Sequence, residues 1–213
     1  MNDPRRFTRS SALLAILLGG TSACGPSGPA PKVYVLGEGP IAEPSAESQL
    51  KKPMVEVRPV RVPDYLDTTD IVTHGVGGLI VPSESGRWGE RFSVNLTRAV
   101  TAALARQLPR LAIITSARWA EPRWEVAIDL EALDVRPSGS STLTATWSII
   151  DTRQNRTLAA ERVVLTASGT FQTDAQVVAV MRHQVDELAR GIATSLAPIA
   201  GVPKPTSATL SSN

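Results

Sequence analysis

From Trp124 to Ile149 the chain alternates apolar and polar residues in two successive runs, and no other feature restricts its fold as strongly. In the first run Trp124, Val126, Ile128 and Leu130 alternate with Glu125, Ala127, Asp129 and Glu131. A period of two puts the two sets on opposite faces of a strand, one buried and one wet. The apolar phase then moves to Leu133 and Val135, which implies a bulge. Pro137-Ser138-Gly139-Ser140 turns the chain. Leu143, Ala145, Trp147 and Ile149 form the next inward row, with Thr142, Thr144, Thr146 and Ser148 outward. A turn over Asp151–Arg156 leads into a third strand, Leu158–Thr166. Such a meander has one apolar face that another layer must cover.

Helices supply that layer. Trp88, Phe92, Leu96, Val100, Leu104 and Leu108 recur at helical spacing and predict a helix over Gly86–Leu108, capped at Ser85 and stopped before Pro109. A second helix opens on Thr173-Asp174-Ala175-Gln176, the pattern of a capping box. Val178, Met181, Val185, Leu188, Ile192 and Leu196 make its apolar stripe, and Pro198 is expected to stop it. Shorter strands are expected at Val33–Leu36, Met54–Val62 and Leu111–Thr115. Asp70–Thr73 and Gly78–Val81 read as a hairpin with Gly75-Val76-Gly77 at its tip. The expected fold is α+β: two layers, a mostly antiparallel sheet packed by two long amphipathic helices.

The N-terminus reads differently. Arg5, Arg6 and Arg9 precede the apolar run Ala12–Leu18, then small residues lead to Cys24, the single cysteine of the chain. The apolar run is too short to span a bilayer, which takes about 20 residues. Charged region, short apolar core and small residues make a signal peptide over 1–23. The pattern resembles a bacterial lipoprotein signal, with Thr21 standing where Leu is usual. Cys24 is then a lipid anchor, carrying a covalent lipid and no other cofactor. An ordinary signal cut after Ala23 is the competing reading, and it leaves an odd thiol in an oxidising compartment. Residues 24–32, rich in Gly and Pro, form a tether; 33–197 form the folded domain; 198–213 form a Pro/Ser/Thr tail expected to be disordered.

Charge excludes one class of partner. Residues 1–23 hold three of the 22 basic and one of the 20 acidic residues, so the remainder carries 19 of each. Without a net basic charge there is no electrostatic case for nucleic acid. The two histidines, His74 and His183, have no cysteine or second histidine at metal-ligand spacing. The sequence has no G-x-S-x-G elbow, no P-loop and no dinucleotide fingerprint. No catalytic site and no metal site is assigned.

Three segments carry a resemblance to a known family: Val60-Arg61-Val62-Pro63-Asp64-Tyr65-Leu66-Asp67, then Ile71-Val72-Thr73, then Gly86-Arg87-Trp88-Gly89-Glu90-Arg91-Phe92. In order and spacing they resemble the ABC-type transport auxiliary lipoproteins, the paraquat-inducible protein C type. The likeness extends over roughly 33–197. It implies a non-catalytic domain at the periplasmic face of the outer membrane, held there by Cys24. The implied partner is an MCE-domain protein of an ABC lipid transporter, with homo-oligomer formation a further possibility. A stand-alone lipid-binding lipoprotein is the alternative, with a pocket over the small residues Ala99 and Ala103.

Six residues are candidate partner contacts: Tyr65, Leu66, Asp67, Arg87, Trp88 and Trp119. Tyr65-Leu66-Asp67 reads as an exposed contact, or as a turn in which Asp side chains cap backbone amides. Arg87-Trp88 reads as an interface hot spot, or as an anchor of helix to sheet. Trp119 lies in a connection with no assigned face, whereas Trp124 opens the buried row.

Overall fold

The computed structural model describes residues 30–37, 52–116 and 121–205. The elements run β1 (Lys32–Tyr34), β2 (Met54–Val57), β3 (Asp70–His74), β4 (Ile80–Trp88), α1 (Phe92–Gln107), β5 (Ala112–Ile114), β6 (Trp124–Arg136), β7 (Ser140–Asp151), β8 (Arg156–Ser168) and α2 (Asp174–Ala200). The α+β class expected from the sequence is the class observed. The strands form two sheets, however, where a single one was expected: β1-β4-β3 and β5-β2-β6-β7-β8.

The meander β6-β7-β8 is antiparallel throughout, and its register slips between Leu130 and Ala132, where the apolar phase changes. Trp124, Val126, Ile128, Leu130, Leu133 and Val135 are all buried. The opposite face of β6 carries Glu125, Asp129, Glu131 and Asp134, paired with Arg58, Arg61, Arg162 and Arg136 respectively. Parallel pairs add β2 beside β6, and β5 beside β2. The phase change at Arg58-Pro59 marks the end of β2. Beyond it the chain rejoins β6 at Arg61, whose amide donates to the Ile128 carbonyl at 3.1 Å.

α2 lies against β7, β8 and α1. Its stripe of Leu188, Ile192 and Leu196 is fully buried, each worth about 1.5–3 kcal/mol relative to exposure. Gly191 permits the approach to β7: a Cβ there would sit 3.2 Å from the Trp147 ring. The capping box is formed, with Thr173 Oγ1 accepting from the Gln176 amide at 3.4 Å and Gln176 Oε1 accepting from the Thr173 amide at 3.1 Å. Two buried polar groups sit under the helix: Ser141 Oγ donates to Gln184 Oε1 at 2.8 Å, and Gln184 Nε2 donates to the Leu165 carbonyl at 3.2 Å.

Two helix boundaries differ from expectation. Gly86–Trp88 complete β4, and the first helix starts only at Phe92. Trp88 and Phe92 are four apart, a spacing that satisfies a period of two as well as one of 3.6. Their rings still meet, with centroids 5.7 Å apart, across the strand–helix junction. At the other end Pro198 does not stop α2, which runs on to Ala200 and closes on the left-handed Gly201. A proline in the last turn forfeits only a terminal hydrogen bond, and the glycine tolerates the φ of 65° that ends the helix. Residues 198–200 are therefore helical, and 206–213 lie outside the described residues.

Candidate functional site

Hydrogen bonds define two ends of the molecule. At one end, the Arg123 amide donates to the Met54 carbonyl, the Ala112 amide to the Pro53 carbonyl, and Thr152 Oγ1 to the Pro122 carbonyl. Lys52 Nζ donates to the Pro109 carbonyl at the same end, where Arg110 and Lys204 line a shared hollow. Arg110, Arg153, Arg156 and Lys204 are exposed there. Arg106 and Arg123 are held in ion pairs with Asp186 and Asp151.

The opposite end gathers the β3–β4 hairpin, the β6–β7 turn and the start of α2. His74 Nδ1 lies 3.4 Å from Asp134 Oδ1, the Gly169 amide donates to the Gly139 carbonyl at 3.0 Å, and Ser85 Oγ donates to Asp174 at 2.7 Å. Between these elements opens a cleft of about 550 Å³ whose walls include Tyr34, Ile71, Val81, Pro82, Phe171 and Asp174. β1 is parallel to β4 with Lys32 opposite Gly86, so the chain enters the domain from the hairpin end.

The hairpin tip is built to expose apolar side chains. Gly77 and Gly78 have φ of 72° and 82°, values that favour glycine. No neighbour lies within 4 Å of where their Cβ atoms would be, so backbone conformation and not space demands glycine. Between them and the strands, Val76 is 99% exposed, Leu79 62% and Val81 40%. Residues 75–82 include no charged or polar side chain. Sequence reasoning placed the hairpin but did not single out these residues. Apolar side chains at a turn, where polar ones are usual, were the available signal.

Tyr65 belongs to this end. Its ring meets that of His74 edge-on, with centroids 6.0 Å apart, and it is 39% exposed. Partial burial and the nearby Asp134 carboxylate push its hydroxyl above the usual tyrosine range. Arg87 is exposed on β4, opposite Asp70 on β3. Leu66 and Trp88, two of the candidate contacts, are each only 3% exposed and sit in the core. Trp88 anchors the strand–helix junction, and Leu66 closes the turn that precedes β3.

Asp67 has internal partners. One carboxylate oxygen accepts from the Ser93 amide at 3.1 Å and the other takes Arg91 Nη2 at 2.6 Å. It thus caps α1, whose own N-cap residue Arg91 offers no side-chain acceptor. Burial opposes its ionisation, but the bonds from Ser93 and Arg91 outweigh it and hold the carboxyl below the usual range. Of the two readings for this residue, the capping turn describes its contacts. Cys24 and Trp119 lie outside the described residues.

Of Ala99 and Ala103, only Ala99 lines a hollow, one of about 200 Å³ shared with Leu36, Gly37, Arg182 and Asp186. Both are buried, and a Cβ on Gly37 would meet the Ala99 Cα at 3.8 Å, so the small residues admit the 36–37 segment. The Asn95 side chain, buried beside them, accepts from the Leu36 amide at 2.8 Å. Among the described residues there is no cluster of three or more potential metal ligands, and no helix is long and apolar enough to cross a membrane.

Solved structures share the fold. An uncharacterised protein superposes with a TM-score of 0.63 at 17% identity, covering 78% of this chain and 99% of that one. A DUF330-family protein from Xanthomonas campestris gives 0.58 at 13%, covering 70% and 85%. At these identities the likeness concerns the fold alone. No curated protein matches the sequence significantly. A family model does, over residues 34–193, taking in the Tyr65 segment, the hairpin, both helices and the meander. On that match the chain belongs to the family of ABC-type transport auxiliary lipoprotein components.

Proposed function

We propose that this protein is a non-catalytic subunit of an MCE-type ABC lipid transport system, held at the periplasmic face of the outer membrane by lipid on Cys24. The observation that carries this reading is the polarity of the domain. The chain arrives at β1 from the hairpin end, eight residues after Cys24. Eight residues reach at most about 26–29 Å, which allows the domain to stand with its hairpin end against the membrane that takes the anchor. The other end, with Arg110, Arg153, Arg156 and Lys204 exposed, is then turned to the periplasm, where an MCE-domain protein would approach. Exposed arginines suit an interface, because a planar guanidinium both stacks and pairs. Membership of the transport auxiliary family supports the association with an ABC transporter.

The test is cross-linking of the lipidated protein in native envelopes, followed by mass spectrometry of what it captures. Recovery of an MCE-domain protein with its permease and ATPase is expected. Substituting Arg110 and Lys204 by Glu should reduce that recovery while leaving membrane attachment intact. Capture of the protein alone overturns the transporter reading. A Cys24→Ser variant that still fractionates with the outer membrane overturns the anchor.

A further inference from the structure

We propose that the β3–β4 hairpin tip is a second membrane contact: Val76, Leu79 and Val81 enter the head-group region of the bilayer that holds the lipid on Cys24. The inference rests on the reading of Cys24 as the anchor and adds a contact that the anchor does not require.

Three observations converge on a lipid surface as the occupant. First, the exit direction of the chain and the tip coincide. β1 is parallel to β4 and Lys32 lies opposite Gly86, so the line of β1 carried back from Lys32 points to the end where β4 begins at Ile80. Second, the lengths match. Six residues from Gly86 to Ile80 put the tip about 20 Å beyond Lys32 at the usual strand rise. The eight residues back to Cys24 reach at most about 26–29 Å. The tether is therefore long enough to reach the level of the tip, so the tip and the anchor can meet one surface. Third, the tip has the composition of a membrane contact. Residues 75–82 read Gly-Val-Gly-Gly-Leu-Ile-Val-Pro, so the loop itself desolvates no charged or polar side chain, and His74, paired with Ile80, is the first polar group behind it. Val76 and Leu79 already project from the domain, held out by the left-handed glycines Gly77 and Gly78.

The backbone at the tip is prepared for such a site. The Gly75 amide donates to the Leu79 carbonyl at 2.8 Å, which closes the loop on itself. Fewer unpaired backbone groups then accompany the apolar side chains into the interface. Tyr65 stands beside His74, which pairs with Ile80 directly behind the tip, a level at which an amphipathic ring suits the boundary between head groups and water. One acyl anchor fixes a position but leaves the domain free to tumble on its tether. A second contact also fixes orientation, with the Arg110 end pointing away from the bilayer.

The test uses the full lipidated protein carrying Val76→Cys or Leu79→Cys. Lipid on Cys24 consumes the single native thiol, so an environment-sensitive fluorophore attaches only at the introduced cysteine. The labelled protein is reconstituted on phosphatidylethanolamine–phosphatidylglycerol vesicles with and without spin-labelled lipid. The expected result is a blue-shifted emission at positions 76 and 79 that spin-labelled lipid quenches, with neither effect for the same probe on Arg110→Cys. Vesicle-bound protein whose probes at 76 and 79 stay unquenched overturns the proposal. A blue shift that grows with protein concentration and ignores the spin label also overturns it, because a second copy of the chain then covers the tip. Vesicle flotation and the mass of the N-terminal peptide report separately on Cys24. If Cys24 proves unmodified, the anchor reading falls, and quenching at position 76 on a Cys24→Ser background still decides the hairpin contact.

Discussion

Asp67 reaches 26 residues along the chain to cap α1 at Ser93, with its Oδ1 accepting from the Ser93 amide at 3.1 Å. The first turn of a helix leaves amides without partners, and here a distant carboxylate meets one of them. Asp67→Ala should destabilise the protein by about 1 kcal/mol, the usual cost of a lost cap. Asp67→Asn keeps the acceptor and should cost less. Urea unfolding of the three proteins checks the order, and equal losses for Ala and Asn would assign the effect to the Arg91 ion pair instead.

The pair of Ser141 and Gln184 is buried, which makes its two halves unequal to the whole. Ser141→Ala leaves Gln184 Oε1 without its donor and should cost about 1–3 kcal/mol. Gln184→Leu strands both Ser141 Oγ and the Leu165 carbonyl and should cost at least as much. The double variant should lose less than the sum, with a coupling of about 0.5–3 kcal/mol. Strict additivity in a double-mutant cycle would mean that the two side chains do not interact in solution.

Gly191→Ala sets two effects against each other. Alanine in a helix interior gains about 1 kcal/mol over glycine. The new methyl, however, lies 3.2 Å from Trp147, which is itself buried in the central part of β7. Overpacking of about 1–3 kcal/mol should therefore win, giving a net loss. Pairing it with Trp147→Phe should restore part of the stability in thermal unfolding.

Asp151 predicts a dependence on acid. Arg123 Nη1 at 2.5 Å, with the amides of Arg153 and Gln154, holds its carboxyl below the usual range. A carboxyl with a depressed folded value stabilises fully above its unfolded value, about 3.9. That contribution fades as pH drops below this point and is gone once pH passes the folded value. Asp151→Asn should lower Tm at pH 7 and make little difference near pH 2. A Tm difference that stays constant across that range would contradict the ion pair as its source.

Alternation made the first two strands of the meander legible, down to the bulge after Leu130, because a period of two sustained over two runs fits strands and no helix. The start of α1 was not legible, because Trp88 and Phe92 keep inward faces in a strand and a helix alike. That ambiguity hid the role of Asp67: a cap is read from its distance to a helix start, and the start was placed some six residues early. Leu66 and Trp88 show a second limit. Large apolar residues serve cores and interfaces equally, and only burial separates the two uses. The sequence puts Val76 at the hairpin tip and Leu79 in the strand that follows, but the exposure of both shows only in the geometry.

α2 has 27 residues and a length of about 40 Å. It begins beside Ser85 at the hairpin end and finishes near Arg110 at the other, with its apolar stripe buried along the way. A rod of this kind makes the domain a gauge. Whatever binds one end stands at a set height from whatever binds the other, and a mismatch in that height must be absorbed by a partner.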